Sequence, residues 1–249
     1  MTQACTKGNV YSRNNPSPEY TRLQALYQNH HDGGRAEKKS WSSNVYPGKS
    51  MWPYMGFIKA IAHKHGAKTM LDYGAGKGLQ YTDLRVKEAK GKMYPSLANY
   101  WGVHVTCYDA GNKVFNNWPD GHFDGVVSTD VLEHCSREDL EWIISEIFEK
   151  AQKFVFANIA CYPACTILSS GENAHITIEP PQWWRELIEK VAKNYPDISY
   201  YFLATEDRRE MGELITNDNE KLNIPKAGAL PGSIIKAYYS LIKQKIKHF

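Results

Sequence analysis

Residues 71–81, LDYGAGKGLQY, carry three glycines in five positions directly behind a short apolar run. An apolar strand running into Gly74, Gly76 and Gly78 makes a tight turn, where bare backbone can approach a ligand at the strand's carboxyl end. Neither common phosphate motif fits. A dinucleotide fingerprint, G-x-G-x-x-G, needs glycine where Leu79 stands, and a P-loop needs G-K-S or G-K-T after four intervening residues. Asp72, two positions before the first glycine, also opposes phosphate, because its carboxylate repels a second anion. Two readings of Lys77 stand open: a contact to an acidic end of the ligand, or a solvated residue in the first turn of the following helix. Gln80 and Tyr81, one turn further on, either face the ligand or brace the N-terminal segment.

Two more acids fall at the carboxyl ends of expected strands: Asp109 in CYDAG, with Ala110 beside it, and Asp130 in FDGVVSTDVLEH, followed by Val131. Open α/β sheets bind their ligands at this edge. Capping the next helix is the alternative for Asp130. Glu133 and His134 follow, and His134 is the best candidate for a general base, since an unperturbed imidazole titrates near neutrality. Its alternative is a packed histidine at a helix start. The long loop CYPACTILSSGENAHITIEPPQWW offers Asn173 and His175 to bind or deprotonate an acceptor, and Trp183 and Trp184 to line its pocket.

The pattern G-x-G-x-G behind an acid suits adenosine that carries a cationic sulfonium and an amino acid. Here the sequence resembles the class I S-adenosylmethionine (SAM) dependent methyltransferases, whose first motif has this shape. CYDAG puts Asp109 where that family grips the ribose hydroxyls, and FDGVVSTDVLEH looks like its fourth-strand motif. The resemblance covers roughly residues 55 to 205. It implies cofactor contacts from Asp72, Gly74, Ala75, Gly76, Lys77, Gly78, Gln80, Tyr81, Asp109, Ala110, Asp130 and Val131, with S-adenosylhomocysteine (SAH) as product. Together LDYGAGKGLQY, YWGVHVTCYDAG, FDGVVSTDVLEH, FANIACYPA and GENAHITIEPPQWW look like a bacterial and phage subgroup for which the resemblance names no acceptor. The chain departs from the family pattern after Asp109. Only GNKVFNNWPDGH precedes the next strand, so the third βα unit is trimmed, and Phe115, Trp118 and Asp120 stand as substitutes for the usual adenine contact.

The elements that must position these residues alternate between strand and helix, which implies a parallel sheet with helices on its faces. Strands are expected at TMLDYG, VHVTCYDAG, FDGVVST, KFVFANIAC, whose strongly apolar run reads as a central strand, and ISYYFLAT. Helices are expected at PEYTRLQALYQNHH, at SMWPYMGFIKAIAHKHG, at SREDLEWIISEIFEKAQ with Ser136 as N-cap, and at PPQWWRELIEKVAKNY. The fold class is α/β: a Rossmann-like class I methyltransferase fold, mostly parallel, with a helical N-terminal extension and a C-terminal helix. Residues 1–50 form an arm and helix covering the site, with Tyr46, Pro47 and Gly48 in a covering loop and Tyr46 against the substrate. Residues 51–206 form the SAM-binding domain, and 207–249 an extension ending in a basic amphipathic helix.

At 249 residues and 42% hydrophobic content, one substantial core can be buried. The net charge of +3 is small, and with base-methylation motifs absent there is no strong sign of a nucleic-acid partner. A small polar molecule is the expected acceptor. Five cysteines without a C-x-x-C pair argue against a disulfide framework or zinc ribbon and for a reducing, cytoplasmic setting. No metal site is expected. No apolar run is long enough to span a bilayer. The oligomeric state is not legible. A nucleic-acid or protein acceptor, or SAM binding without methylation, are the competing readings.

Overall fold

The computed structural model describes residues 11–31, 49–82, 85–87, 91–207 and 212–220. Helix α1, Pro18–His31, is followed by a 3-10 segment, Lys49–Tyr54, that runs directly into α2, Met55–Lys64. Strand β1, Thr69–Tyr73, then leads through the glycine turn into the one-turn α3, Leu79–Thr82. A small hairpin, β2 (Val86–Lys87) and β3 (Met93–Tyr94), precedes α4, Leu97–Trp101, and β4, His104–Tyr108. After β5, Phe123–Thr129, come a 3-10 turn, Leu132–His134, helix α5, Leu140–Lys150, and β6, Ala151–Ala160. Helix α6, Pro181–Ala192, and strands β7, Ser199–Thr205, and β8, Glu213–Thr216, complete the described elements.

The six-stranded sheet runs β4-β1-β5-β6-β7-β8, parallel throughout except for the antiparallel edge strand β8. This is a mostly parallel α/β sheet of Rossmann-like type. Strand side chains alternate between two cores, as a period of two requires. Leu71, Val126, Val155, Ala157 and Phe202 face α5 and α6, where Ile143, Ile144, Phe148, Trp184 and Ile188 pack. Met70, Val127, Phe154, Phe156 and Tyr201 face α2 and α4, with Met55, Ile58, Ile61, Tyr100 and Trp101. The sheet is therefore covered by helices on both faces. Strand β6, flanked by β5 and β7, is buried along most of its length, as its apolar run predicts.

Order along the sheet reverses at β1, with β4 on one side and β5 on the other. Such a switch point opens a crevice beyond the strands' carboxyl ends. Residues 109–122 contain neither helix nor strand, so β4 is left at the sheet edge. Helix α1 lies across the carboxyl edge. Its Gln24 donates to the Ala110 carbonyl at 3.0 Å, and Leu23 is buried with Leu168 and Ala174.

Three local expectations change. Helix α5 starts at Leu140, not at Ser136; Ser136 begins the preceding turn, where the Asp139 N–H donates to its carbonyl at 3.0 Å. The Asp139 carboxylate is already engaged by Ser17, Ser136 and Trp142. The hairpin and α4 occupy what reads in the sequence as an insertion, with Ser96 capping α4 by accepting the Asn99 N–H and Gly102 closing it at φ 74°. Strand β8 adds an antiparallel edge that the sequence does not announce. The expected covering loop with Tyr46, and the basic C-terminal helix, lie outside the described residues. No helix among the described residues is long and apolar enough to cross a membrane.

Candidate functional site

The glycine turn is fastened to the neighbouring strand. Both the Gly74 and the Ala75 N–H groups donate to the Tyr108 carbonyl, at 2.7 and 3.0 Å, which brings the ends of β1 and β4 together. Gly74 has φ 90°, and a Cβ there would stand 2.2 Å from Val131 Cγ2. Only glycine fits. Gly78, at φ 64°, lies under the Phe115 ring, whose Cε2 would be 3.1 Å from an added Cβ. Lys77 is half-buried within this turn.

Below the turn, Asp72 is buried. Its Oδ2 accepts from Tyr81 Oη at 2.9 Å and from Gln80 Nε2 at 3.0 Å, and Gln80 Nε2 also reaches the Ala75 carbonyl at 3.2 Å. Gln80 and Tyr81 thus brace the acid from the next helix. This use of Nε2 turns Gln80 Oε1 away, and both it and Asp72 Oδ1 are buried acceptors with no hydrogen-bond partner. A buried polar atom without a partner costs about 1–3 kcal/mol, so the pair, unpartnered among the described residues, has room for a donor. Burial pushes the Asp72 carboxyl up to about 7, against the pull of the Tyr81 and Gln80 bonds, and the nearby Asp109 adds to the rise.

Asp109 spans the same crevice. Its Oδ2 accepts the Gly76 N–H at 2.7 Å and its Oδ1 the Gly111 N–H at 2.9 Å. Burial raises it to about 6. The Asn112 N–H adds a third backbone bond to this carboxylate. Among the substitute adenine contacts, Phe115 covers Gly78. Trp118 instead packs with Tyr73 and Tyr108 beneath the Arg13 guanidinium, 3.5 Å from its ring, and Asp120 is exposed.

At the end of β5, Asp130 adopts φ 61°, the left-handed region that Asp tolerates better than most residues. Val131 follows against Gly74. Glu133, expected among the reacting groups, is wholly buried: its Oε1 accepts the Ala160 N–H at 2.8 Å, and its carbonyl takes the Ile176 and Thr177 N–H groups. Burial first, and the Asp130 charge second, hold its carboxyl well above the usual carboxylate range. Its place is to fasten the loop after β6 to the turn after β5. That fastening brings two histidines together. The His134 and His175 rings lie 4.9 Å apart, nearly perpendicular at 88°. His134 Nδ1 is 2.7 Å from the Ala174 carbonyl, and His175 Nδ1 is 2.5 Å from the Tyr162 carbonyl. Because a carbonyl only accepts, each Nδ1 must carry the hydrogen. His175 Nε2 then faces Asp130 Oδ1 at 3.9 Å. Burial is the main force lowering the His134 pKa, which favours the neutral imidazole.

Asn173 is consumed by structure. Its Oδ1 accepts from the Ala164 and His175 N–H groups, both at 2.9 Å, and its Nδ2 donates to the Ala164 carbonyl. Trp184 is fully buried under α6, and Trp183 stacks edge-on against it with Arg137 4.8 Å from its ring centre. Within the chain, Asn173 locks the loop and Trp184 fills the core. Burial also pushes the Cys161 thiol up to about 12, unsuited to a nucleophile.

Sequence reasoning missed Tyr27, Ser50 and Tyr54. Tyr27 Oη lies 3.0 Å from His134 Nδ1 and donates to the Ala174 carbonyl at 2.7 Å. Ser50 Oγ is 3.3 Å from Thr129 Oγ1 at the end of β5, and Tyr54 is close enough to Tyr162, Glu133 and Asp130 to feel their charge. Tyr27 was visible only as part of an apolar helix face. The site thus offers a bare turn beside a buried acid, Asp72, and a half-buried one, Asp109, and next to it a histidine pair with a carboxylate. Compared with protein-family models and with curated proteins, the chain matches none of either.

Proposed function

We propose that this protein is a SAM-dependent methyltransferase of class I type, which holds the cofactor at the switch point and transfers its methyl group to a small polar acceptor. The observation that carries the reading is the pair of buried, partnerless acceptors, Asp72 Oδ1 and Gln80 Oε1, at the foot of the glycine turn. An ammonium group supplies both the hydrogens and the positive charge that this pocket lacks, and the amino-acid end of SAM carries one. The turn suits the ligand's close approach, and the Asp109 carboxylate at the end of β4 faces the same crevice. The motif resemblance supports the same assignment.

When bound, SAM supplies an electrophilic methyl group on a cationic sulfur. The chain's part is to align and desolvate the acceptor and to receive a proton where the acceptor must lose one. His134 and His175, adjacent to Val131 and the glycine turn in this edge of the sheet, are the groups placed to do so. Helix α1 and the loop after β6 cover the crevice from above. Calorimetry with SAM and SAH, followed by radiolabelled methyl transfer to fractionated host extract, tests the reading. Label in the small-molecule fraction supports it; label in the nuclease-sensitive fraction moves the acceptor to nucleic acid, and binding with transfer to no fraction leaves a SAM-binding protein.

A further inference from the structure

Asp130, His134 and His175 come from two segments that Glu133 fastens together, and one ligand atom from each lies within 4.8 Å of the others. We propose that these three side chains bind a first-row divalent metal ion, with the remaining coordination positions open to water or to the acceptor.

Three features carry this. First, two imidazoles and one carboxylate are the donor set of open, reactive sites for zinc or iron, not of closed structural ones. Second, both histidines donate Nδ1–H to a backbone carbonyl, Ala174 for one and Tyr162 for the other. Metal-ligating histidines are held in this way, because the bond fixes the tautomer and the ring orientation and leaves Nε2 for the ion. Third, the donors are exposed unequally: the His175 side chain is 5% accessible and that of Asp130 45%, so an ion could enter from the Asp130 side against a fixed wall. Donor atoms around an ion bonded at about 2.0–2.2 Å stand about 3–4 Å apart. The 3.9 Å between His175 Nε2 and Asp130 Oδ1 falls in that range, and all three donors lie within 4.8 Å of one another.

The donors also predict which ions bind. Imidazole favours zinc, cobalt or iron over magnesium or calcium, which prefer all-oxygen sites. The ion's existence does not depend on the methyl-transfer reading, but its use does: beside the glycine turn it selects an acceptor that offers a metal-binding oxygen or nitrogen, such as a hydroxy acid, and with both Nε2 atoms on the ion the two histidines act through it rather than as free bases.

Cobalt(II) titration of the purified full chain, followed by visible absorption, tests the site. The expected result is one cobalt per chain with ligand-field bands, displaced by equimolar zinc and resistant to excess magnesium. Asp130→Asn, which keeps a residue tolerant of the left-handed backbone, and His175→Gln should each weaken cobalt by at least about 10- to 100-fold, the range for losing even an outer partner of a metal site. Retained circular dichroism and thermal transitions establish that the variants fold. Substoichiometric uptake, or uptake unchanged in both folded variants, overturns the proposal. SAH calorimetry on the same samples separates the two readings: metal without SAH binding refutes the cofactor assignment alone, and SAH without metal binding refutes this one alone.

Discussion

The Asp109 carboxylate accepts the Gly76 N–H at 2.7 Å, so the acid that closes β4 is bonded to the backbone of the turn that closes β1. One side chain therefore shapes the glycine turn and, in the proposed reading, borders the cofactor. Asp109→Ala should weaken SAH binding by about 1.5–3 kcal/mol, the range for hydrogen bonds to a charged group. Calorimetry on the folded variant measures this, and an unchanged dissociation constant would remove Asp109 from the site.

Asp72 predicts a pH dependence. With its carboxyl pushed up to about 7 by burial, the empty protein holds it protonated at pH 5 and ionised at pH 8. A raised folded value contributes stability that is full below the unfolded value near 4 and is lost as pH rises through 7, at about 1.4 kcal/mol per pH unit. Asp72→Asn should thus raise urea stability relative to the parent more at pH 8 than at pH 5. Binding of a cationic ligand runs the opposite way: SAM affinity should strengthen by up to about tenfold per unit as pH rises toward 7 and level off above it. A flat profile in the parent protein would contradict the placement of the ligand's ammonium against Asp72.

Gly74 and Gly78 should differ in tolerance. Alanine at Gly74 meets Val131 at 2.2 Å and a φ of 90°, whereas at Gly78 the Phe115 ring stands at 3.1 Å. Gly74→Ala should cost about 2–5 kcal/mol, combining a positive-φ penalty with overpacking. Gly78→Ala should cost less, because an aromatic edge can give by a few tenths of an ångström. Chemical denaturation of both variants reads the difference, and equal costs would contradict the packing of Val131 on the turn.

His134→Ala and His175→Ala should keep SAH affinity within a few-fold and lose methyl transfer, since neither ring supports the glycine turn. Comparing calorimetry with radiolabel transfer separates the two effects. Normal rates in both variants would mean that positioning alone sustains the reaction.

Much of the sheet was legible because a strand buried on both faces reads as a continuous apolar run, as KFVFANIA does for β6. Helices α1, α2, α5 and α6 announced themselves by an apolar stripe. The β2–β3 hairpin and β8 carried no such signal. The hairpin strands have two residues each, and β8 is defined by its pairing with β7. In the site, Asp72 and the glycines were legible because their arrangement is local in sequence. Tyr27 was not, since its partner His134 lies 107 residues away. Glu133, Asn173 and Trp184 show the converse: residue types that suggest chemistry are occupied with backbone groups or with the core.

The most direct test is calorimetric titration of SAH into the purified full-length chain at pH 8. One ligand per chain is predicted, with affinity reduced at least about tenfold in Asp72→Asn and in Asp109→Ala. No detectable binding up to about 1 mM ligand, or binding unaffected by both substitutions, would contradict the account.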